Sequence, residues 1–213
     1  GNYYSISVAD FIAISHCEEA TDWGRPSDDA NVSSLGSNVS GAAWSPDGSY
    51  TAVGFENGEI RVYEFTGSAL NLKDTVDLGT SVTSVDWSSI GNFITVGGVP
   101  DSDNKQVQIY EFNLSSETLS LLSLTQKDFD GTVNKVEWHP SGDYMSVAGT
   151  GSPDVQIYDF NGNMLSEITD AQISFTHSYQ TCFDISPDGN YVAVAYYKND
   201  DDKKLQLYDS SNI

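Results

Sequence analysis

Residues 44–65 read WSPDGSYTAVGFENGEIRVYEF. The stretch holds a turn, a short apolar run, a second turn and an alternating run, and the chain writes it three more times. WSSIGNFITVGG opens at Trp87, WHPSGDYMSVAG at Trp138 and ISPDGNYVAVAY at Ile185. Each is followed by a variable loop and then by a relative of IRVYEF: VQIYEF (107–112), VQIYDF (155–160) and LQLYDS (205–210). The anchors at 44, 87, 138 and 185 lie 43, 51 and 47 residues apart. A period of roughly 40–50 residues marks a repeat architecture.

The second copy shows what a unit contains. Val82, Ser84 and Asp86 alternate with Thr83, Val85 and Trp87, the period of a strand with one buried face. SSIG then turns the chain, as SPDG does in the first and fourth copies: Pro presets φ, Asp bonds its own backbone and Gly takes the left-handed geometry. FITVGG is a short apolar run bounded by glycine, suited to a strand covered on both faces. After the loop VPDSDNK, VQIYEF alternates again, and LSLLSLTQ (119–126) reads as a fourth, more polar strand. Four short antiparallel strands with no helical periodicity make a propeller blade. One blade cannot bury both its faces, whereas stacking blades around an axis does.

Each unit resembles a WD40-type repeat. The W-S-P-D-G turn carries the resemblance, and Tyr63-Glu64, Tyr110-Glu111, Tyr158-Asp159 and Tyr208-Asp209 occupy the place of the family's Trp-Asp pair. The usual opening Gly-His pair is replaced by Leu35-Gly36, Leu78-Gly79 and Asp130-Gly131. The family's buried Trp–Ser/Thr–His–Asp network therefore has no full set of residues here. In this the chain is more similar to the looser bacterial-type WD40-like propellers than to the eukaryotic signalling type.

The predicted architecture is all-β, a β-propeller of four-stranded antiparallel blades in a partial ring. Whole blades are expected at 39–81, 82–132 and 133–179, with partial blades at 1–38 and 180–213. In the first, 3–8 and 11–15 read as second and third strands, and Val32 to Leu35 as the last. Because the end pieces do not add up to one blade, a piece of a larger propeller, seven-bladed by resemblance, is favoured over a closed five-bladed ring. An open arc exposes apolar faces and unpaired edges.

Asp and Glu number 31 against 9 Lys and Arg, a formal net charge of −22. No basic patch exists to replace the counterions of a nucleic acid, so nucleic-acid binding is excluded from the expectations. No apolar run reaches eighteen residues, so membrane insertion is excluded too. An acidic, well-solvated surface fits an extracellular or cell-surface protein, with the cytoplasm as the alternative.

Chemistry is sparse. His16, His139 and His177 stand in unrelated contexts, and no pair has metal-ligand spacing. His139 takes the Ser position of the turn and is expected at the surface. No G-x-S-x-G or phosphate-binding loop occurs. Cys17 and Cys182 could pair only if the chain's ends meet. Two acidic loops between second and third strands offer weak Ca2+ candidates, Asp101 and Asp103 in one and Asp200 and Asp202 in the other, but neither matches a D-x-D-x-D-G pattern. Asn31, Asn38 and Asn113 head N-x-S/T sequons. Trp23 and Arg25 sit together in a long polar loop and are candidates for partner contact.

These features predict a non-catalytic interaction or structural module, without a cofactor, that works through a protein partner or self-association. The alternatives are an enzyme domain with a central-channel site and a glycan- or cation-binding module.

Overall fold

A computed structural model describes residues 2–8, 11–17, 30–32, 34–100, 103–175, 180–197 and 203–210. Among the described residues, eighteen strands form five antiparallel sheets. The first contains β1 (Asn2–Val8), β2 (Phe11–Cys17) and β3 (Ala30–Val32). The second contains β4 (Val39–Trp44), β5 (Tyr50–Phe55), β6 (Glu59–Phe65) and β7 (Leu70–Asp77); the third β8 (Val82–Trp87), β9 (Phe93–Gly98), β10 (Val107–Asn113) and β11 (Thr118–Leu121). The fourth contains β12 (Val133–Trp138), β13 (Tyr144–Gly149), β14 (Val155–Phe160) and β15 (Leu165–Glu167), and the fifth β16 (Gln180–Ile185), β17 (Tyr191–Tyr197) and β18 (Lys203–Asp209). Strands follow chain order from the inner edge outward, and the sheets do not close on one another. The fold is that of a WD40-like propeller, and the described sheets are consistent with part of a ring.

The repeated turn is the same in each copy. Ser45, Ser88, His139 and Ser186 each donate their N–H to the carbonyl of the residue opening the second strand, at 2.8–2.9 Å. The residue just before that strand accepts from the third strand: Phe65, Phe112, Phe160 and Ser210 donate to Ser49, Asn92, Asp143 and Asn190, at 2.7–2.9 Å. The turn is thus tied to two strands, which explains why its sequence recurs.

Simple alternation fails on the inner strands. Each of β4, β8 and β12 shifts register near its start, between Val39 and Gly41, Val82 and Ser84, and Val133 and Lys135. The bulge puts Val82 and Val85, or Val133 and Val136, on the same buried side. The second-strand glycine of the preceding sheet makes room for them. A Cβ on Gly54 would stand 2.5 and 2.6 Å from the methyls of Val82 and Val85.

Two stretches differ from the expected strands. The fourth strand of the third sheet covers Thr118–Leu121, then breaks into a 3-10 turn at Ser123–Thr125. Buried Thr125 holds that turn, its Oγ1 donating to Leu122 O and accepting from Ile109 N–H. At the start of the chain, β3 ends at Val32 and does not reach Leu35. Ser34 and Gly36 take φ of 61° and 80°, which breaks the ladder and drops Leu35 into a cluster with Val53, Phe55 and Tyr63.

Candidate protein-interaction surface

Neighbouring sheets meet through a repeated layer. On the third strand, residues one and three of φ-x-φ-Tyr-acid-Phe face the following sheet, and the Tyr and Phe face the preceding one. Ile60 and Val62, Val107 and Ile109, and Val155 and Ile157 are all at most 5 % exposed. The aromatic residues fill the other side. Tyr50 of the second sheet packs on Phe112 and Trp87 of the third, with centroids 5.0 and 6.5 Å away. Phe93 of the third packs on Phe160 of the fourth at 4.9 Å, and Trp138 closes on the same ring at 5.1 Å. The periodic tryptophans are therefore packing residues.

In place of the family's usual hydrogen-bond network, the third strands of the third, fourth and fifth sheets each carry a Gln–Tyr pair. Tyr110 Oη donates to Gln108 Oε1 at 3.2 Å and Tyr208 Oη to Gln206 Oε1 at 2.7 Å, and Tyr158 donates to Gln156. Burial pushes the Tyr110 phenol up to about 12 and the Tyr158 phenol higher, so both remain donors. These pairs are legible only once Gln and Tyr at i and i+2 are known to share a face.

The inner strands carry a second device. Asp86 accepts from Trp87 N–H at 2.9 Å and, across the sheet boundary, from Trp138 N–H at 2.6 Å. Burial pushes its carboxyl up to about 6. Glu137 occupies the same position one sheet later; burial pushes it up to about 7, against the pull of Lys135 Nζ at 3.0 Å. Lys135 also reaches Asp184 Oδ1 at 2.9 Å and Phe183 O at 2.7 Å in the fifth sheet. Perturbed carboxylates in a cleft are active-site candidates, yet the partners here are backbone N–H groups and Lys135, which pairs with Glu137 on its own strand and with Asp184 in the next sheet. Their geometry is that of a linkage.

The fifth sheet departs from the pattern. Ile185 stands where the third and fourth sheets have Trp, and Ser210 where they have Phe. Ser210 Oγ donates to Gly189 O instead of filling the layer. A cavity of about 190 Å3 opens there, lined by Tyr144, Ile157, Ile185, Val192 and Ser210 among others. A second of about 500 Å3 adjoins it, sharing Ile157, Val192 and Ser210 and reaching Ile168, Ile173 and Tyr208. On the sheet's other face Leu205 and Leu207 are 70 % and 71 % exposed, and Tyr191, the counterpart of Tyr50 and Phe93, is 52 % exposed.

The predicted site residues are scattered. Trp23, Arg25, Asp101, Asp200 and Asp202 lie outside the described residues, as does His177. Asp103 is on an exposed loop, and no group of three His, Cys, Asp or Glu among the described residues is placed to hold a metal. Asn31 lies in β3. Asn38 donates its amide to Glu56 at 3.0 Å, and Asn113 caps the turn after β10, accepting from Ser115 and Ser116 N–H at 2.9 and 3.1 Å. Cys182 is an exposed free thiol. His139 is half-buried: Nδ1 meets Ser141 Oγ and Nε2 meets Gly189 O, both at 2.9 Å, joining the turns of two sheets. No described helix is long and apolar enough to cross a membrane.

Two family profiles match the chain. The WD domain, G-beta repeat, matches residues 30–64, and the family described as eukaryotic translation initiation factor eIF2A matches residues 58–208. No curated protein matches. The second match runs from the turn before β6 into β18 and covers more than half of the sequence. With its WD40-like repeats, the chain belongs to the family of eukaryotic translation initiation factor eIF2A.

Proposed function

We propose that this chain is a non-catalytic scaffold whose blades hold protein partners, and that those partners belong to the machinery of translation initiation. The family description supports the setting, and the repeat type supports the mode of action. One observation carries the reading: Leu205 and Leu207 are about 70 % exposed although their counterparts in three other sheets are buried. Exposed leucines on a sheet face are where a protein partner, or a further sheet of a longer chain, packs. With a net charge of −22, contact with initiation complexes runs through protein surfaces, since phosphate backbones repel the chain.

The test is sedimentation of the tagged chain in a translating extract stalled at initiation. Co-sedimentation with initiating ribosomal complexes is expected, and Leu205→Asp with Leu207→Asp should abolish it. A chain that stays at the top of the gradient, or a double variant that sediments unchanged, would remove the reading.

A further inference from the structure

The border that carries the repeated turns has two properties that the fold does not require. The first is apolar. At the third position of the turn the other copies place Asp47, Ser141 and Asp188, whereas the third sheet places Ile90, which is 56 % exposed. The connections between third and fourth strands reach the same border. There Leu114 is 50 % and Met164 39 % exposed, where the second sheet has Thr-Gly-Ser-Ala at 66–69. Asn92, two residues on from Ile90, accepts from Phe112 N–H at 2.7 Å, and Ser89 Oγ donates to Pro140 O at 2.7 Å, so the turns and connections of the third and fourth sheets adjoin. The second property is charge. Glu64, Glu111 and Asp159 pair with Tyr50, Phe93 and Tyr144, the first residues of the second strands, and so stand at this border. Asp47, Asp143 and Asp188 lie between the first and second strands. Among the described residues Lys73 is the one lysine or arginine toward this end, and Glu64 and Glu117 hold it. The other described lysines and arginines lie in the first halves of β6, β12 and β18 or in connections at the opposite border.

We propose that this border, at the third and fourth sheets, docks a basic segment of a partner protein whose apolar side chains seat on Ile90, Leu114 and Met164. The charge selects the partner. A field of one sign attracts lysine- and arginine-rich protein, and it repels nucleic acid, anionic membrane and a second copy that presents the same face. The three aliphatic side chains supply the apolar centre that an interface buries, and the acids supply its polar margin. The turns beneath are bonded to one another through Ser89 and His139, so the surface is ordered before the partner arrives and binding costs little conformational freedom on this side. The inference adds a surface to the protein-scaffold reading, apart from Leu205 and Leu207, and does not require the setting in translation.

The probe is a labelled amphipathic peptide of leucine and lysine, compared by fluorescence anisotropy with a serine–lysine peptide of equal charge at about 0.1 M salt. Saturable binding of the leucine peptide is expected, about tenfold tighter than that of the serine peptide. Ile90→Asp is the deciding variant. Asp47 and Asp188 take the same turn position and accept from Ser45 and Ser186 Oγ, so Ser88 can hold the new carboxylate in the same way and the turn keeps its shape. The substitution removes an anchor and adds a negative charge. It should weaken the leucine peptide about tenfold and leave the serine peptide bound no more weakly. Leu114→Ser with Met164→Ser, both in exposed connections, should weaken the leucine peptide likewise. Glu111→Lys with Asp143→Lys should weaken both peptides. Four results overturn the proposal. One is no binding of the leucine peptide at concentrations on the order of 1 mM. Another is equal or tighter binding to Ile90→Asp, which leaves only general attraction to an acidic chain. A third is loss of binding in Leu205→Asp with Leu207→Asp instead, which puts the peptide on the other face. The last is a dimer in light scattering that Ile90→Asp dissolves, which makes a second copy the occupant. Peptide failure with co-sedimentation intact removes this inference alone. Peptide binding without co-sedimentation leaves it in place and removes the setting in translation initiation.

Discussion

At the scale of single residues, the sheet interfaces depend on small clearances and, at two boundaries, on the buried carboxyls of Asp86 and Glu137. Gly54 has no room for a methyl between Val82 and Val85. Gly54→Ala should cost about 1–3 kcal/mol through overpacking, read as a lower urea midpoint with an unchanged m-value. Asp86 makes stability depend on pH. Its folded pKa, about 6, lies above the unfolded value near 3.8, so the folded state holds the proton more tightly. The resulting stability is fully present below pH 3.8 and is lost as pH rises through about 6, a change on the order of 1–3 kcal/mol. Glu137, at about 7, extends the same decline upward. Urea unfolding at pH 4.5 and 7.5 should show the loss, and Asp86→Asn should shrink it; a pH difference untouched by that substitution would assign it elsewhere.

At the scale of strands and turns, much was legible before any coordinates. The four Trp- or Ile-headed turns announce the period because turn chemistry is local: Ser, Asp and Gly bond within five residues. The inner-strand bulges were not legible, since Val82 and Val85 share a side only through pairing with β9. The fourth strands were legible in part; LSLLSLTQ reads as one strand, but Thr125 reaches back to Ile109, sixteen residues away. The candidate surface was least visible. Ile185 and Ser210 each look like tolerable substitutions, and a cavity follows only when both meet Tyr144 and Ile157 of the preceding sheet. The outer edge between the second and third sheets offers a contrasting, filled case. Asp74 Oδ2 accepts Leu119 N–H at 2.7 Å, and Lys73 Nζ bridges Glu64 and Glu117 at 2.9 Å each. Asp74→Ala leaves the Leu119 N–H without its acceptor and should cost about 1–3 kcal/mol, with faster amide exchange at Leu119 as the local sign. Protection of that amide unchanged in the variant would refute the link.

At the scale of the whole molecule, charge opposes compactness. A chain at −22 repels itself, and salt screens that repulsion within about 10 Å at 0.1 M. The thermal midpoint should therefore rise between about 20 and 500 mM NaCl, and a midpoint that falls would mean that the ion pairs of Lys73 and Lys135 outweigh the general repulsion.

The contacts between turns give the arc a stiff side and a slack side. On the rim that carries the repeated turns, Ser89 Oγ donates to Pro140 O at 2.7 Å, Ile90 lies over Gly142, and His139 meets Gly189. On the opposite rim the loops between second and third strands bond within their own sheet, as with Asn38 and Glu56 or Thr132 and Thr150, and only the segments that join the sheets touch both neighbours, as Phe129 does between Gln106 and Gly149. The connection between second and third strands there is three residues long in the second sheet, 56–58, and eight in the third, 99–106. The molecule is built like a hand fan riveted along one border. Its leaves can lengthen or splay at the free border without loosening the rivets, so new loops can be added there, one leaf at a time, without any change to the leaf beside it.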